Sequence, residues 1–344
     1  MITSRYTLIL LKTLIGVMAL VNGSISQPYQ VGQKTYEWSD TQRSRPIKTE
    51  IWYPTQDIDE KGERITLLPF VLSPTIRNAT FLNDRSPLVL LSHGTGGNRF
   101  GLAWLAIALA KQGYIVAAPD HWGNTFDNKI PEFFVRHWER PLDIRFVLDK
   151  ILEEEEFSKR IDINRIGVAG FSLGGYTALA IAGAEVNCEL LRQNAVNKKF
   201  RKEMKVPELG DLQKLIQKID CNEAIVQLKD DRIKAVVALS PALGMAFDSM
   251  QQMRTVDIPV LITGIKSDVI TPVATNALHY HSLIQHSKYI EIPGKAGHYV
   301  MLNEAKTDLK KEAQRYYTDD ATIDRQEVHR EVIEQVIAFY KINL

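Results

Sequence analysis

Three residues far apart in the chain, Ser172, Asp268 and His298, are of the types that form a nucleophile, its orienting acid and its base. Ser172 lies in Gly170-Phe171-Ser172-Leu173-Gly174, with Arg165 to Gly170 reading as a short buried strand and Gly174 to Ala180 as the start of a helix. Gly-x-Ser-x-Gly between a strand and a helix predicts a sharp turn that strains the serine backbone and lifts its hydroxyl away from the sheet. A side chain in place of either flanking glycine would strike the neighbouring strand or helix. A glycine-rich turn that merely contains serine is the plain alternative, and the strand before and helix after favour the sharp turn.

A serine hydroxyl is a weak nucleophile at neutral pH, so it needs a base within hydrogen-bond reach and an acid that orients the base. With this turn the acid and then the histidine are expected downstream, on loops at the C-terminal ends of strands. Asp268 stands just past the apolar run Pro259 to Gly264, in Ser267-Asp268-Val269-Ile270-Thr271-Pro272. Its competing reading is a turn aspartate before a proline. His298 stands in Gly294-Lys295-Ala296-Gly297-His298-Tyr299, past the last strand-like run. His279, His281 and His286 fall on a polar helix and His329 on the C-terminal helix, where solvated faces account for them. An acyl intermediate also needs two N–H donors for its oxyanion. Leu173, next to the nucleophile, supplies one, and Thr95 in His93-Gly94-Thr95-Gly96-Gly97 supplies the other. That loop is not a dinucleotide fingerprint, because Arg99 stands where its third glycine is required. His93 is expected to brace the loop. His121 and Trp122 are candidates for the pocket wall, with a structural role equally open. No metal-ligand spacing appears, so neither a metal nor a cofactor is expected.

The elements that must position these residues alternate between strand and helix from residue 87 onward. This predicts a mostly parallel central sheet with helices on both faces. Pro87 to His93, Tyr114 to Asp120, Ile233 to Ser240, Pro259 to Gly264 and Tyr289 to Ile292 read as strands. Leu102 to Lys111, Arg140 to Glu155 and Asp324 to Tyr340 read as helices. Lys34 to Trp38 and Pro46 to Tyr53 look like an antiparallel edge pair, and Asp57 to Arg85 like an irregular surface excursion. Residues 185–230 are polar with scattered Leu and Ile, and read as a mostly helical insertion placed to cover the site as a lid.

The 344 residues, 45% hydrophobic and 24% charged, suit a globular protein with a substantial core, and the net charge of +1 points away from a nucleic-acid partner. Arg5 and Lys12 precede the apolar stretch Thr13 to Val21, and small residues follow at Ser24 and Ser26. Residues 1–26 therefore read as a secretory signal, and 27–344 as one domain. An uncleaved anchor is the alternative, but the stretch falls short of the ~20 residues a span needs, so no stable membrane span is expected after cleavage. Two cysteines in an exported, periplasmic or secreted chain suggest one disulfide between Cys188 and Cys221. Two free buried thiols are the alternative.

Taken together, the chain resembles the predicted dienelactone hydrolase and platelet-activating-factor acetylhydrolase-like group of serine esterases. The resemblance rests on Ile51-Trp52-Tyr53-Pro54, Ser92 to Gly97, Pro119-Asp120-His121, Arg140-Pro141-Leu142-Asp143, Gly170 to Gly175 and Ala296-Gly297-His298-Tyr299. It implies an α/β-hydrolase fold and cleavage of a small-molecule or lipid-like carboxylic ester through an acyl-enzyme. A peptidase or amidase using the same three residues is the rival chemistry, and a non-catalytic binding protein the rival class. Dienelactone hydrolases carry a cysteine nucleophile where this chain has Ser172. Animal platelet-activating-factor acetylhydrolases place the acid after the preceding strand, near Ser240 here, so Asp268 serves as the acid, as in polyester hydrolases and lipases.

Overall fold

The computed structural model describes residues 28–344 apart from 59–63, 68 and 83. The expected signal segment lies outside the described residues. The first strands are β1 (Gln30–Asp40), β2 (Arg45–Thr55), β3 (Arg64–Ile65), β4 (Thr75–Arg77), β5 (Ser86–Ser92), β6 (Ile115–Pro119) and β7 (Ile161–Phe171). A small antiparallel hairpin, β8 (Lys205–Val206) and β9 (Gly210–Asp211), stands apart from the sheet. The last strands are β10 (Ile233–Leu239), β11 (Val260–Ile265) and β12 (Ser287–Ile292). The main sheet runs β12-β11-β10-β7-β5-β6-β2-β1-β4-β3. Strands β5, β6, β7, β10, β11 and β12 are mutually parallel, as the alternation of elements implied. The pair β1–β2 is antiparallel, but it is not the edge: β4 and β3, inside the stretch expected to be irregular, extend the sheet beyond β1.

Because successive strand residues face opposite sides, a sheet covered on both faces needs apolar residues at every position. Leu88 and Leu90 of β5 point to one core with Ile166, Val168, Val236 and Ile262. Val89 and Leu91 point to the other with Ala169, Phe171, Val237 and Leu261. Helices α1 (Ala103–Lys111), α2 (Glu139–Glu153), α3 (Glu155–Ser158) and α4 (Leu173–Ile181) follow the first half of the sheet. The first core packs under α2 and α4 through Ile144, Val147 and Leu179, the second under α1 through Leu105 and Leu109.

Chain order reverses between β5 and β7: β6 lies on one side of β5 and β7 on the other. The loops leaving the C-terminal ends of β5 and β7 therefore diverge and open a crevice, the usual ligand site of such sheets. These are the loops of His93–Gly97 and Ser172.

The insertion after α4 is less helical than expected. It comprises α5 (Cys188–Ala195), a 3-10 turn, the hairpin, and α6 (Gln213–Ile216), then irregular chain to Asp230. Cys188 and Cys221 are joined in a disulfide with their Cα atoms 5.7 Å apart. It ties the start of α5 to the chain beyond α6. After α7 (Ala277–Leu283), two short helices that no sequence signal marks, α8 (Thr307–Glu312) and α9 (Gln314–Tyr317), precede α10 (Arg325–Asn343). The Asp324 carboxylate caps α10 by accepting from the N–H groups of Gln326 and Glu327. Val332, Val336 and Tyr340 on its inner face complete the second core.

Candidate active site

Ser172 stands at the N-terminus of α4 with φ 57° and ψ −120°, a conformation that non-glycine residues rarely adopt. The strain is held by the glycines. A Cβ on Gly170 would strike the backbone of Gly174, and a Cβ on Gly174 would strike the Ser92 carbonyl. Strand β10 fixes the turn further, since the Ser172 N–H donates to the Leu239 carbonyl at 2.9 Å.

His298 follows β12 and brings its imidazole back over the elbow. Its Nε2 lies 3.0 Å from Ser172 Oγ and its Nδ1 2.6 Å from Asp268 Oδ2. All three side chains are buried. With an ionised Asp268 the pattern requires Nδ1–H donating to the carboxylate, which leaves Nε2 to accept from the Ser172 hydroxyl. Burial works to raise the Asp268 pKa, but His298 and the hydrogen bonds from Thr271 outweigh it and hold the carboxyl below its ordinary range. Oδ1 accepts from the N–H groups of Ile270 and Thr271 at 2.8 and 2.9 Å, and Oδ2 accepts from Thr271 Oγ1 at 2.8 Å.

The His298 loop is pinned through its carbonyls. Trp104 Nε1 donates to Met301 O, and His329 Nε2 to Val300 O, each at 2.8 Å. The two rings stack with centroids 4.0 Å apart. His329 is therefore not on a solvated helix face as expected. It is buried because α10 packs against α1, and burial pushes its pKa down to about 4.

On the opposite side, the loop from His93 to Gly97 stands over Leu173. Among the described residues no hydrogen bond takes up the N–H of Thr95 or of Leu173. His93 braces the loop: Nδ1–H donates to the Gly94 carbonyl at 2.7 Å, and Nε2 accepts from the His121 N–H at 3.2 Å. Beneath it lies the fully buried guanidinium of Arg140, which donates to His93 O, to Ser92 Oγ at 3.3 Å, to Asn124 Oδ1 at 3.2 Å and to Thr177 Oγ1 at 3.3 Å. Asn124 Oδ1 also accepts the Gly96 N–H at 2.9 Å. Burial lowers the Arg140 pKa to about 9, against the pull of Asp143.

His121 and Trp122 do not line the cavity beside Ser172. His121 instead lies behind the loop, with Nε2 2.8 Å from Ser92 Oγ and Nδ1 3.0 Å from Asp143, which also holds Arg45 at 2.8 Å. Burial first, then Arg140, Arg45 and Arg43, keep its pKa well below the ordinary value, so it is neutral. Trp122 packs edge-on to Phe133, with Arg45 over its ring. Polar partners at this depth draw His121 away from the cavity, and Trp122 turns with it. Sequence reasoning does not reach the roles of Arg140, Asp143, Asn124 and Thr271. For Arg140 and Asp143, a fully buried position near the start of α2 is the mark of the role: charged residues are rarely fully buried unless paired.

A cavity of about 710 Å³ opens at Ser172 and His298 and includes Thr95 and Leu173 in its lining. Such a volume holds a small-molecule ligand. One wall belongs to the insertion: Leu191, Met204, Val206, Leu212 and Ile216. Leu215 packs on the core below, while Leu190 joins neither. The insertion is fastened at two places. Glu203 accepts from Thr275 Oγ1 at 2.9 Å and Asn276 Nδ2 at 2.8 Å, and Glu208 lies against Gly96 and accepts from the Tyr316 hydroxyl at 3.3 Å. A second wall consists of Tyr299, Tyr316 and Tyr317 with Phe70, joined by edge-on and tilted ring contacts.

Residues 66–126 match the family model of platelet-activating factor acetylhydrolase, isoform II. That stretch holds β5, the His93–Gly97 loop and His121; Ser172, Asp268 and His298 lie beyond it. Among solved structures the chain is similar to a ferulic acid esterase from Streptomyces cinnamoneus, at 20% identity and a TM-score of 0.60, covering 92% of this chain and 90% of that one. No curated protein matches the chain. The α/β-hydrolase fold expected from the motifs is borne out, and so is the resemblance to this esterase group.

Proposed function

We propose that this chain, an α/β-hydrolase-fold carboxylic ester hydrolase similar in part to platelet-activating factor acetylhydrolases, works through Ser172, His298 and Asp268 and an acyl-enzyme intermediate. The observation that carries the reading is one continuous hydrogen-bond line from Ser172 Oγ through His298 to Asp268, starting on a strained elbow that opens into a cavity. His298 takes the hydroxyl proton as Ser172 attacks the ester carbonyl. The N–H groups of Thr95 and Leu173 receive the oxyanion, where fixed donors lower the barrier more than water does. His298 returns the proton to the leaving alcohol, and water repeats the sequence on the acyl-enzyme. The apolar wall from the insertion takes the acyl chain, so the insertion acts as a lid that sets chain-length preference. The disulfide agrees with a location outside the cytoplasm, and we extend this to export by the N-terminal segment.

The test is labelling by a fluorophosphonate, followed by turnover of esters with graded acyl chains and of matched anilides. One adduct on the Ser172 peptide is expected. Ser172→Ala should lose on the order of 10⁴-fold or more in rate. An adduct elsewhere, or undiminished turnover by the variant, would reject the nucleophile. Faster cleavage of anilides would favour the amidase reading. If a folded, active protein lacking 190–220 kept its chain-length preference, the insertion would not be the lid.

A further inference from the structure

The Thr271 side chain has a position that the hydrolytic cycle leaves unexplained. Its Oγ1 is buried 2.8 Å from Asp268 Oδ2, the same oxygen that accepts from His298 Nδ1, and 3.2 Å from Nδ1 itself. A third neighbour, the Ser240 carbonyl, lies 3.4 Å away. One hydroxyl proton goes to one main acceptor. Two arrangements with opposite consequences are therefore open to Thr271. If the proton goes to Asp268, the carboxylate is stabilised and its hold on the imidazolium weakens. If it goes to Ser240, the oxygen lone pair faces Nδ1–H and strengthens the imidazolium. The shorter distance and the charge on the acceptor favour Asp268, since hydrogen bonds to ionised acceptors are shorter and stronger than those to neutral carbonyls.

We propose that Thr271 is a positioning residue that donates its hydroxyl proton to Asp268 Oδ2 and so tempers how strongly Asp268 holds a proton on His298. The proposal rests on the Ser172–His298–Asp268 reading only for its catalytic consequence. The geometry stands without it. Three observations agree. The Thr271 N–H already holds Oδ1, so the hydroxyl completes a grip on both carboxylate oxygens. The Asp268 carboxyl stays below its ordinary range in spite of burial. Placing the proton on Asp268 also gives both neighbours of Oδ2 a consistent role as donors. For the reaction this means an imidazole whose proton is released to the leaving alcohol more readily than the bare pair would allow.

The other titratable groups around the pair are Ser172 on the elbow, Tyr299 beside His298 with ring centroids 5.3 Å apart, and Glu203 from the insertion. Burial first, with a smaller push from Asp268, raises the Glu203 pKa against the hydrogen bonds of Asn276 and Thr275. Because the Glu203 carboxyl is itself pushed up, a kinetic pH profile alone would mix the two groups. The experiment therefore follows the His298 imidazole itself by NMR titration of the full chain, in wild type, Thr271→Val and Thr271→Ser, with Thr271→Ala as a second deletion should the valine misfold. Removal of the hydroxyl should raise the His298 pKa by about half a unit or more, because stabilisation of the carboxylate is lost. Serine should restore the wild-type value. The acid limb of kcat/KM should move the same way with KM nearly unchanged. A pKa that falls in the folded valine or alanine protein would place the proton on Ser240 and overturn the proposal. No shift, or a shift that serine also shows, would overturn it as well. A wild-type protein that failed to label at Ser172 would sink the catalytic reading, while the titration would still decide Thr271.

Discussion

On one side of Ser172, the loop from His93 to Gly97 rests on side chains sent from other elements: Arg140 and Asp143 from α2, and His121 and Asn124 from the chain after β6. On the other side, Asp268 is held by the N–H groups two and three residues further on, and the His298 loop by two neutral rings that bond its carbonyls. The first side is a buried network of guanidinium, imidazole and carboxylate; on the second these donors to Asp268 and the His298 loop are neutral N–H groups. A buried charge stripped of its partner is far more costly than a lost neutral bond, and buried networks of this sort are all-or-none. The oxyanion side should thus combine structure with catalysis, and the acid side should be separable from stability.

The sharpest way to break that contrast is Asp268→Asn. The amide keeps the shape and can still accept from Ile270 and Thr271, so unfolding by urea should be nearly unchanged. The imidazole would take the wrong tautomer, and turnover should fall by up to ~10⁴-fold. A folded Asp268→Asn protein with full activity would remove Asp268 from the site; a variant that no longer folds would show that the acid side too is structural.

Arg140→Met tests the other half. Methionine fills much of the space but leaves His93 O without its donor, whereas Asn124 Oδ1 keeps the Gly96 N–H, Ser92 Oγ keeps His121 and Thr177 Oγ1 keeps Leu173 O. A buried carbonyl left unpaired costs about 1–3 kcal/mol, so a loss of that size in urea unfolding is expected. Residual folded protein should also lose kcat, because the Thr95 N–H would wander. Unchanged stability with unchanged kcat would show that the network is ornamental to the loop.

The same contrast explains what is legible in the sequence. Asp268 is held by residues two and three places on, and the elbow and His298 follow directly on strand ends among glycines, so glycine spacing and strand ends announce all three. The network under His93 assembles residues from several elements, so the sequence alone puts His121 and Trp122 on a pocket wall and leaves the role of Arg140 unseen. The parallel sheet follows from alternating apolar runs, but β3 and β4 are too short to leave a pattern, and α8 and α9 form a cavity wall from residues with no amphipathic signature. His329 reads as solvated on its own helix. Only the packing of α10 against α1 reveals it as a buried donor to the His298 loop.

That histidine supplies the finest test of the contrast, because burial shifts its imidazole strongly. Burial lowers its pKa to about 4, so the unfolded chain binds a proton that the folded chain refuses as pH falls below ~6.5. Stability is then fully present above that pH and is lost progressively down to about 4, where the folded form also protonates. His93 and His121 on the oxyanion side are depressed in the same direction, so the wild type should weaken steadily over this window. His329→Gln keeps an N–H for Val300 but cannot titrate. It should lower stability modestly at pH 7.5 and flatten the stability slope between pH 6 and 5 by up to ~1.4 kcal/mol per pH unit, the limit for one proton. Urea unfolding at a series of pH values measures that slope. If it stayed as steep as in wild type, the acid sensitivity would belong wholly to the buried network on the oxyanion side.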